Sequence, residues 1–157
     1  MSYWYNIIEQ IKNDWQPLID CIDHFEQELE TARKELKIHG SLEKNSADLP
    51  GIVEYRFRQY QEIEHILEYM NIRFNKEKNK SFRNYIENYN RSLSSRDAEK
   101  FAETDSNVYN MKLLVNRVAL LRNQYLAIHN GLTAKQFQIN NITKLKTAGL
   151  EDSEINY

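Results

Sequence analysis

At 157 residues the chain suits one domain or one subunit of an oligomer and is too short for two ordinary enzyme domains. Lys and Arg total 21 against 23 Asp and Glu, and a formal net charge of −2, taken as an average, argues against a nucleic-acid binder. Four Gly and two Pro are too few to punctuate many short strands, which excludes all-β folds, and the 41% hydrophobic, 28% charged composition fits a helical protein.

The first forty residues carry a regular apolar repeat. Trp4, Ile8, Ile11, Trp15, Leu18, Ile22, Phe25, Leu29, Ala32 and Leu36 are spaced alternately by four and three, the 3.5-residue period of a seam between supercoiled helices. A long hairpin within one chain could cover such a seam. A strict heptad more often means self-association, and it predicts a homo-oligomer held through Leu18, Ile22, Phe25, Leu29 and Leu36. Pro17 is tolerated in a first turn, where the N–H groups have no helical acceptor. The pattern therefore reads as a short helix near 3–12 and a long one near 15–38 with Asp14 as N-cap; one helix kinked at Pro17 fits equally well.

His39 to Asp48 reads as a polar connection, and Pro50 suits the first turn of a second long helix over 50–92. Ile52, Tyr55, Ile63, Ile66, Met70 and Phe74 supply its apolar stripe. Ser94 with Asp97 three residues on resembles a capping box. A third main helix is expected over 107–129 on Val108, Met111, Val115, Val118, Leu121, Tyr125 and Ile128, with Asn130-Gly131 as its stop. Thr133 would cap a last helix carrying Phe137, Ile142 and Leu145 and ended by Gly149, and 151–157 reads as a flexible acidic tail. The whole predicts a single all-α domain over 1–150: an elongated helical bundle with an N-terminal heptad-rich coiled-coil arm (1–39), a long basic-aromatic helix and C-terminal helices (93–150).

The charge is segregated. Residues 1–70 hold 14 acids and 7 bases, 71–105 hold 6 acids and 8 bases, and 106–150 hold six bases with no Asp or Glu. Such asymmetry points to a polyanionic partner, or to an acidic neighbour, for the C-terminal half. Within 71–105, Arg73, Lys76, Lys80 and Arg83 recur at three, four and three, and fall within roughly an 80° arc of one helix, with Lys78 nearby. Phe82 and Tyr85 lie on a different arc, and Arg56 and Arg58 repeat the basic-aromatic mixture one segment earlier. A basic ridge flanked by aromatics can follow a phosphate backbone while rings stack on unpaired bases; the plainer alternative is a solvated ridge whose aromatics belong to the core.

Other chemistry is sparse. Glu62-x-x-His65 is a lone copy of a step that di-iron bundles use twice, and His24 with Glu28 and Glu35 with His39 read as surface pairs. Cys21, the sole cysteine, sits at the seam among Asp20 and Asp23 and reads as structural filler in a reducing compartment. No phosphate loop, catalytic triad or metal-type spacing is present, so no catalytic residue, cofactor or metal is expected. No run of eighteen apolar residues or signal-peptide pattern occurs, and the expected location is cytoplasmic.

The order of features resembles a known family. A basic-aromatic helix is followed by the turn Leu93-Ser94-Ser95-Arg96-Asp97. Next come the apolar stretch Leu113-Leu114-Val115-Asn116-Arg117-Val118-Ala119-Leu120-Leu121, the segment Gly131-Leu132-Thr133-Ala134-Lys135-Gln136-Phe137-Gln138-Ile139, and finally Gly149. Over roughly residues 60–150 this resembles the UvsY recombination mediators of T-even-like phages. The resemblance implies a non-enzymatic, ring-forming helical protein of the host-cell cytoplasm. Such a protein binds single-stranded DNA and helps a phage recombinase displace the single-strand-binding protein. It places DNA contacts at Arg73, Lys76, Lys80, Arg83, Phe82 and Tyr85. It makes the stretch with Val115, Val118, Leu121, Phe137 and Ile142 an assembly region. The heptad arm is longer than the family pattern, and Glu77 with several Asn interrupts the basic helix. The competing expectation is a coiled-coil adaptor that bridges proteins without touching nucleic acid.

Overall fold

The computed structural model describes residues 3–10, 14–88 and 93–150. The acidic tail at 151–157, the seam position Ile11 and the end of the middle helix at 89–92 lie outside the described residues. The fold is an all-α helical bundle: α1 (Tyr3–Gln10), α2 (Gln16–Glu35), α3 (Leu42–Asn88), α4 (Ser95–Thr104) and α5 (Ser106–Thr147), with no strand among the described residues.

Local capping explains several boundaries. Asp14 Oδ1 accepts the Gln16 N–H at 2.9 Å, and the Trp15 carbonyl accepts the Leu18 and Ile19 N–H groups at 3.1 Å. Pro17 thus sits in the first turn of α2, where its missing donor has no helical acceptor, and starts a helix rather than kinking one. At α4, Ser94 is the N-cap: its Oγ accepts the Asp97 N–H at 3.2 Å and donates to Asp97 Oδ2 at 2.6 Å. The end of α5 is a Schellman turn. Gly149 takes φ +69°, its N–H bonds the Lys146 carbonyl at 3.1 Å, and the Leu150 N–H reaches the Leu145 carbonyl at 2.9 Å.

Two expected punctuation marks are overridden. The second long helix starts at Leu42, not at Pro50, because Ser41 caps it through the Lys44 N–H (3.3 Å). Pro50 therefore lies inside α3. It has no N–H for the Ser46 carbonyl, but both residues are exposed, so water can take that carbonyl. Asn130-Gly131 does not stop α5, which runs unbroken to Thr147 and merges the two helices expected there. Gly131 instead makes room: a Cβ there would stand 2.8 Å from Leu36 Cδ2.

Contacts gather into two compact units, one from 1–22 with 62–122, the other from 23–61 with 123–157. In the first, Ile8, Leu18, Ile22, Ile63, Ile66, Met70, Val118 and Leu121 are among the buried side chains. The Trp4 N–H donates to Glu62 Oε1 at 2.7 Å, and Tyr5 meets Tyr69 edge to face, joining α1 to α3. In the second, Phe25, Leu29, Ala32, Leu49, Tyr125, Ile128, Leu132 and Ile139 are buried, and the Tyr125 hydroxyl donates to the Phe25 carbonyl at 2.9 Å.

These cores correct the assignment of assembly residues. Leu18, Ile22, Phe25, Leu29, Val118 and Leu121 are at most 5% exposed within the single chain, so they are packed by their own fold and present no surface to a second copy. From Leu18 to Ala32 the heptad seam is covered by the chain that carries it. Leu36, Val115 and Ile142 are half-buried, and only Phe137 of the expected set, at 65%, stands clear of the core.

Candidate nucleic-acid interface

The basic residues of α3 divide sharply. Arg56 is 2% exposed and cannot meet a phosphate. Its Nε and Nη2 bond both oxygens of Glu35 at 2.7 Å, and Nη1 bonds Glu28 at 2.9 Å and Gln59 Oε1 at 2.8 Å. The expectation of a nucleic-acid contact there is corrected. Glu28 and Glu35, read from the sequence as surface partners of His24 and His39, are instead the counter-charges that make Arg56 buriable. Those carboxylates hold its guanidinium above the usual arginine range against the opposing effect of burial. Arg58 is exposed and stands 4.0 Å from Glu54 on the same helix.

In the first unit, Lys78 also leaves the expected set, because its Nζ bonds Glu99 at 3.0 Å and Glu103 at 2.8 Å on α4. Those two carboxylates raise the Lys78 ammonium above its usual range, and Lys78 in turn lowers the Glu103 carboxyl. Tyr85 stacks on Phe101 of α4 at 5.6 Å, and the Ser81 hydroxyl donates to Asp105 at 3.1 Å. This face of α3 is therefore turned to α4 and the start of α5. Phe82 is half-buried on the same helix. Tyr85 is half-buried, and Phe101 takes one face of its ring.

Lys76, Lys80 and Arg83 remain. All three are exposed, form no ion pair among the described residues, and line an open groove of about 1090 Å³. Their spacing places them on one stripe of α3. Five asparagines, Asn75, Asn79, Asn84, Asn88 and Asn107, share the groove, and Asn88 Nδ2 donates to Asn84 Oδ1 at 2.8 Å. Glu77, Glu87 and Asp105 also line it, so the three cations meet three carboxylates. Asp105 is engaged by Ser81 and by the Asn107 N–H (3.0 Å) as the cap of α5. The groove is polar rather than strongly basic.

Arg73, the fourth expected cation, is half-buried with its guanidinium 4.9 Å from the Trp15 ring centroid and 5.9 Å from that of Tyr69. Trp15 and Arg73 line a smaller cavity that shares Glu77 and Asn107 with the groove. Sequence reasoning assigned Trp15 to the seam. Its one signal was a position between the Asp14 cap and the first residue of α2.

Two cations of α5 serve other ends. Lys135 is buried, and its Nζ donates to the Glu35 and Lys37 carbonyls, both at 2.9 Å, capping the C-terminus of α2 from another helix. Arg122 Nη2 bonds Glu64 at 2.8 Å. Cys21 is buried, and burial followed by the Glu62 charge pushes its thiol up, which removes the reactive thiolate. Among the described residues no group of three His, Cys, Asp or Glu is placed to hold a metal ion, and no helix is long and apolar enough to cross a membrane. Comparison with protein-family models, curated proteins and solved structures finds no match to this chain.

Proposed function

We propose that the protein is a non-enzymatic single-stranded DNA-binding recombination mediator that works as a homo-oligomer and helps load a phage recombinase against a single-strand-binding protein. One observation carries the reading: Lys76, Lys80 and Arg83 form an exposed stripe with no ion pair among the described residues, beside a groove rich in asparagine. Cations at this spacing suit successive phosphates, and side-chain amides suit the edges of unpaired bases. The UvsY-like order of features along 60–150 supports the same reading and is the source of its recombinase and single-strand-binding-protein partners. With the N-terminal seam used internally, assembly falls to exposed apolar residues of α5 such as Phe137.

Fluorescence anisotropy on labelled single- and double-stranded DNA at two salt concentrations tests it. Three neutralised phosphates per subunit give a slope of log K against log salt near −2. Lys76→Glu with Lys80→Glu should weaken binding to all sequences and flatten that slope; unchanged affinity in this double variant rejects the ridge.

The adaptor reading keeps one specific support. Tyr109, Leu113 and Leu120 are 54%, 50% and 60% exposed on one face of α5, flanked by Lys112 and Arg117. An acidic amphipathic partner would suit them. Binding that single-stranded DNA does not compete and that Leu113→Asp with Leu120→Asp abolishes would favour the adaptor.

A further inference from the structure

We infer that the cavity at Trp15 and Arg73 receives one unpaired nucleobase and favours bases that carry an exocyclic amine. This rests on the single-stranded DNA reading and adds to it a site away from the phosphate ridge. The cavity, of about 390 Å³, is lined by Trp15 ahead of α2, by Arg73 and Glu77 of α3, and by residues of the first turns of α5. Trp15 lines the cavity with the Arg73 guanidinium 4.9 Å from its ring centroid, and the indole supplies a flat π surface on which a base can stack. Met111 and Leu114 add apolar surface, which favours a ring over a hydrated phosphate.

The polar groups of the cavity match a base edge. Asn107 and Asn110 are exposed, and their side-chain amides make no hydrogen bond among the described residues, so each offers an acceptor and two donors. Glu77 is half-buried and ion-paired to no cation among the described residues. An ionised carboxylate only accepts. It therefore repels a phosphate and selects the amine of adenine, cytosine or guanine over thymine, which has no such amine. Because Glu77 and Asn107 also line the ridge groove, a strand held on Lys76 and Lys80 has a base within reach of the cavity. A base in a duplex is stacked and has its pairing edge occupied, so the same cavity discriminates against double strands.

The test uses the full chain with Trp4→Phe, which leaves Trp15 as the sole tryptophan reporter. The probes are oligo-dC, oligo-dT and an abasic phosphodiester of equal length. Oligo-dC should quench Trp15 emission and bind more tightly than oligo-dT, and the abasic strand should bind through the ridge without quenching. Trp15→Leu, in the otherwise native chain, should weaken oligo-dC about tenfold and leave the abasic strand unchanged. Asn110→Ala, at an exposed position, should do the same to a smaller degree without touching the fold, and Glu77→Gln should erase the preference for oligo-dC. The cavity is rejected if the abasic strand binds as tightly as oligo-dC, or if Trp15→Leu and Asn110→Ala bind oligo-dC like the parent. In that event loss of all binding in Lys76→Gln with Lys80→Gln keeps the ridge reading standing. If no single strand binds the parent, both readings fall.

Discussion

Arg56 and Lys80 lie on one helix and are both basic residues among aromatics in the sequence, yet the two units use them in opposite ways. In the unit built from 23–61 and 123–157, Arg56 and Lys135 point inward, the first held by Glu28 and Glu35, the second by the carbonyls that end α2. In the other unit, Lys76, Lys80 and Arg83 stay in solvent with no carboxylate in ion-pair contact among the described residues. What separates a structural cation from an available one is the partner brought by the fold. Glu28 and Glu35 lie 28 and 21 residues from Arg56 in sequence, beyond the reach of any local pattern.

The difference is sharpest at Arg56. Removing one partner of a buried ion network leaves the others uncompensated, which costs roughly 3–5 kcal/mol when all members are buried. Glu28 and Glu35 keep 31% and 24% side-chain exposure, so Arg56→Ala should cost about 3 kcal/mol in urea unfolding. Arg56→Met combined with Glu28→Met and Glu35→Met should recover most of that loss. If Arg56→Ala unfolds like the parent, the inward role of this cation is wrong. Lys135→Met keeps the apolar stem and removes two hydrogen bonds from a charged donor, for an expected loss of about 2 kcal/mol, reported by the same unfolding curves.

The same contrast explains what was legible in the sequence. Caps that depend on residues within one turn were readable: Asp14 before Pro17, Ser94 with Asp97, and Gly149 with its left-handed φ. The all-α class was readable from the apolar spacing and the scarcity of Gly and Pro. Pro50 and Gly131 were misleading because local punctuation yields when the flanking turns are otherwise satisfied, by the Ser41 cap in one case and by the approach of Leu36 in the other. The seam at Leu18 to Leu29 was readable as buried, but periodicity does not say whether the covering helix belongs to the same chain. The Trp15 cavity was hidden because its walls come from three segments far apart in sequence.

Alkaline pH tests the interior of both units at once. Burial raises the Cys21 thiol in one and the Tyr125 phenol in the other above their ordinary values of 9.0 and 10.0. A raised folded value means stability is complete below the unfolded value and is lost as pH rises through the folded one. Stability should therefore begin to fall near pH 9 with the thiol, at about 1.4 kcal/mol per pH unit, and more steeply above pH 10 when the phenol joins. Cys21→Ala should move the onset to pH 10, and a flat profile to pH 11 would show that neither group is as enclosed as its burial states. Helical glycines give a smaller effect. Gly51→Ala meets nothing within 4 Å and should stabilise by about 1 kcal/mol, whereas Gly131→Ala must displace Leu36 and should gain less.

The smallest expected stability effect is at the ridge, and it is the most informative. Lys76→Gln, Lys80→Gln and Arg83→Gln, singly or together, break no interaction among the described residues and should change the unfolding free energy by less than about 0.5 kcal/mol. Three exposed cations within one stripe repel one another, so an uncommitted ridge is neutral or slightly unfavourable for the fold. The triple variant should therefore unfold like the parent, or slightly later at low ionic strength, while losing the single-strand affinity that the proposed function assigns to the ridge. Lys78→Gln provides the internal control. It breaks two exposed links to α4, should cost a few tenths of a kcal/mol, and under the proposed function should leave single-strand binding in place. If the triple variant instead destabilises the protein and Lys78→Gln abolishes binding, the division between committed and available cations is reversed. If both outcomes hold, a stripe that adds nothing to folding yet carries charge at regular spacing supports the proposed polyanionic partner.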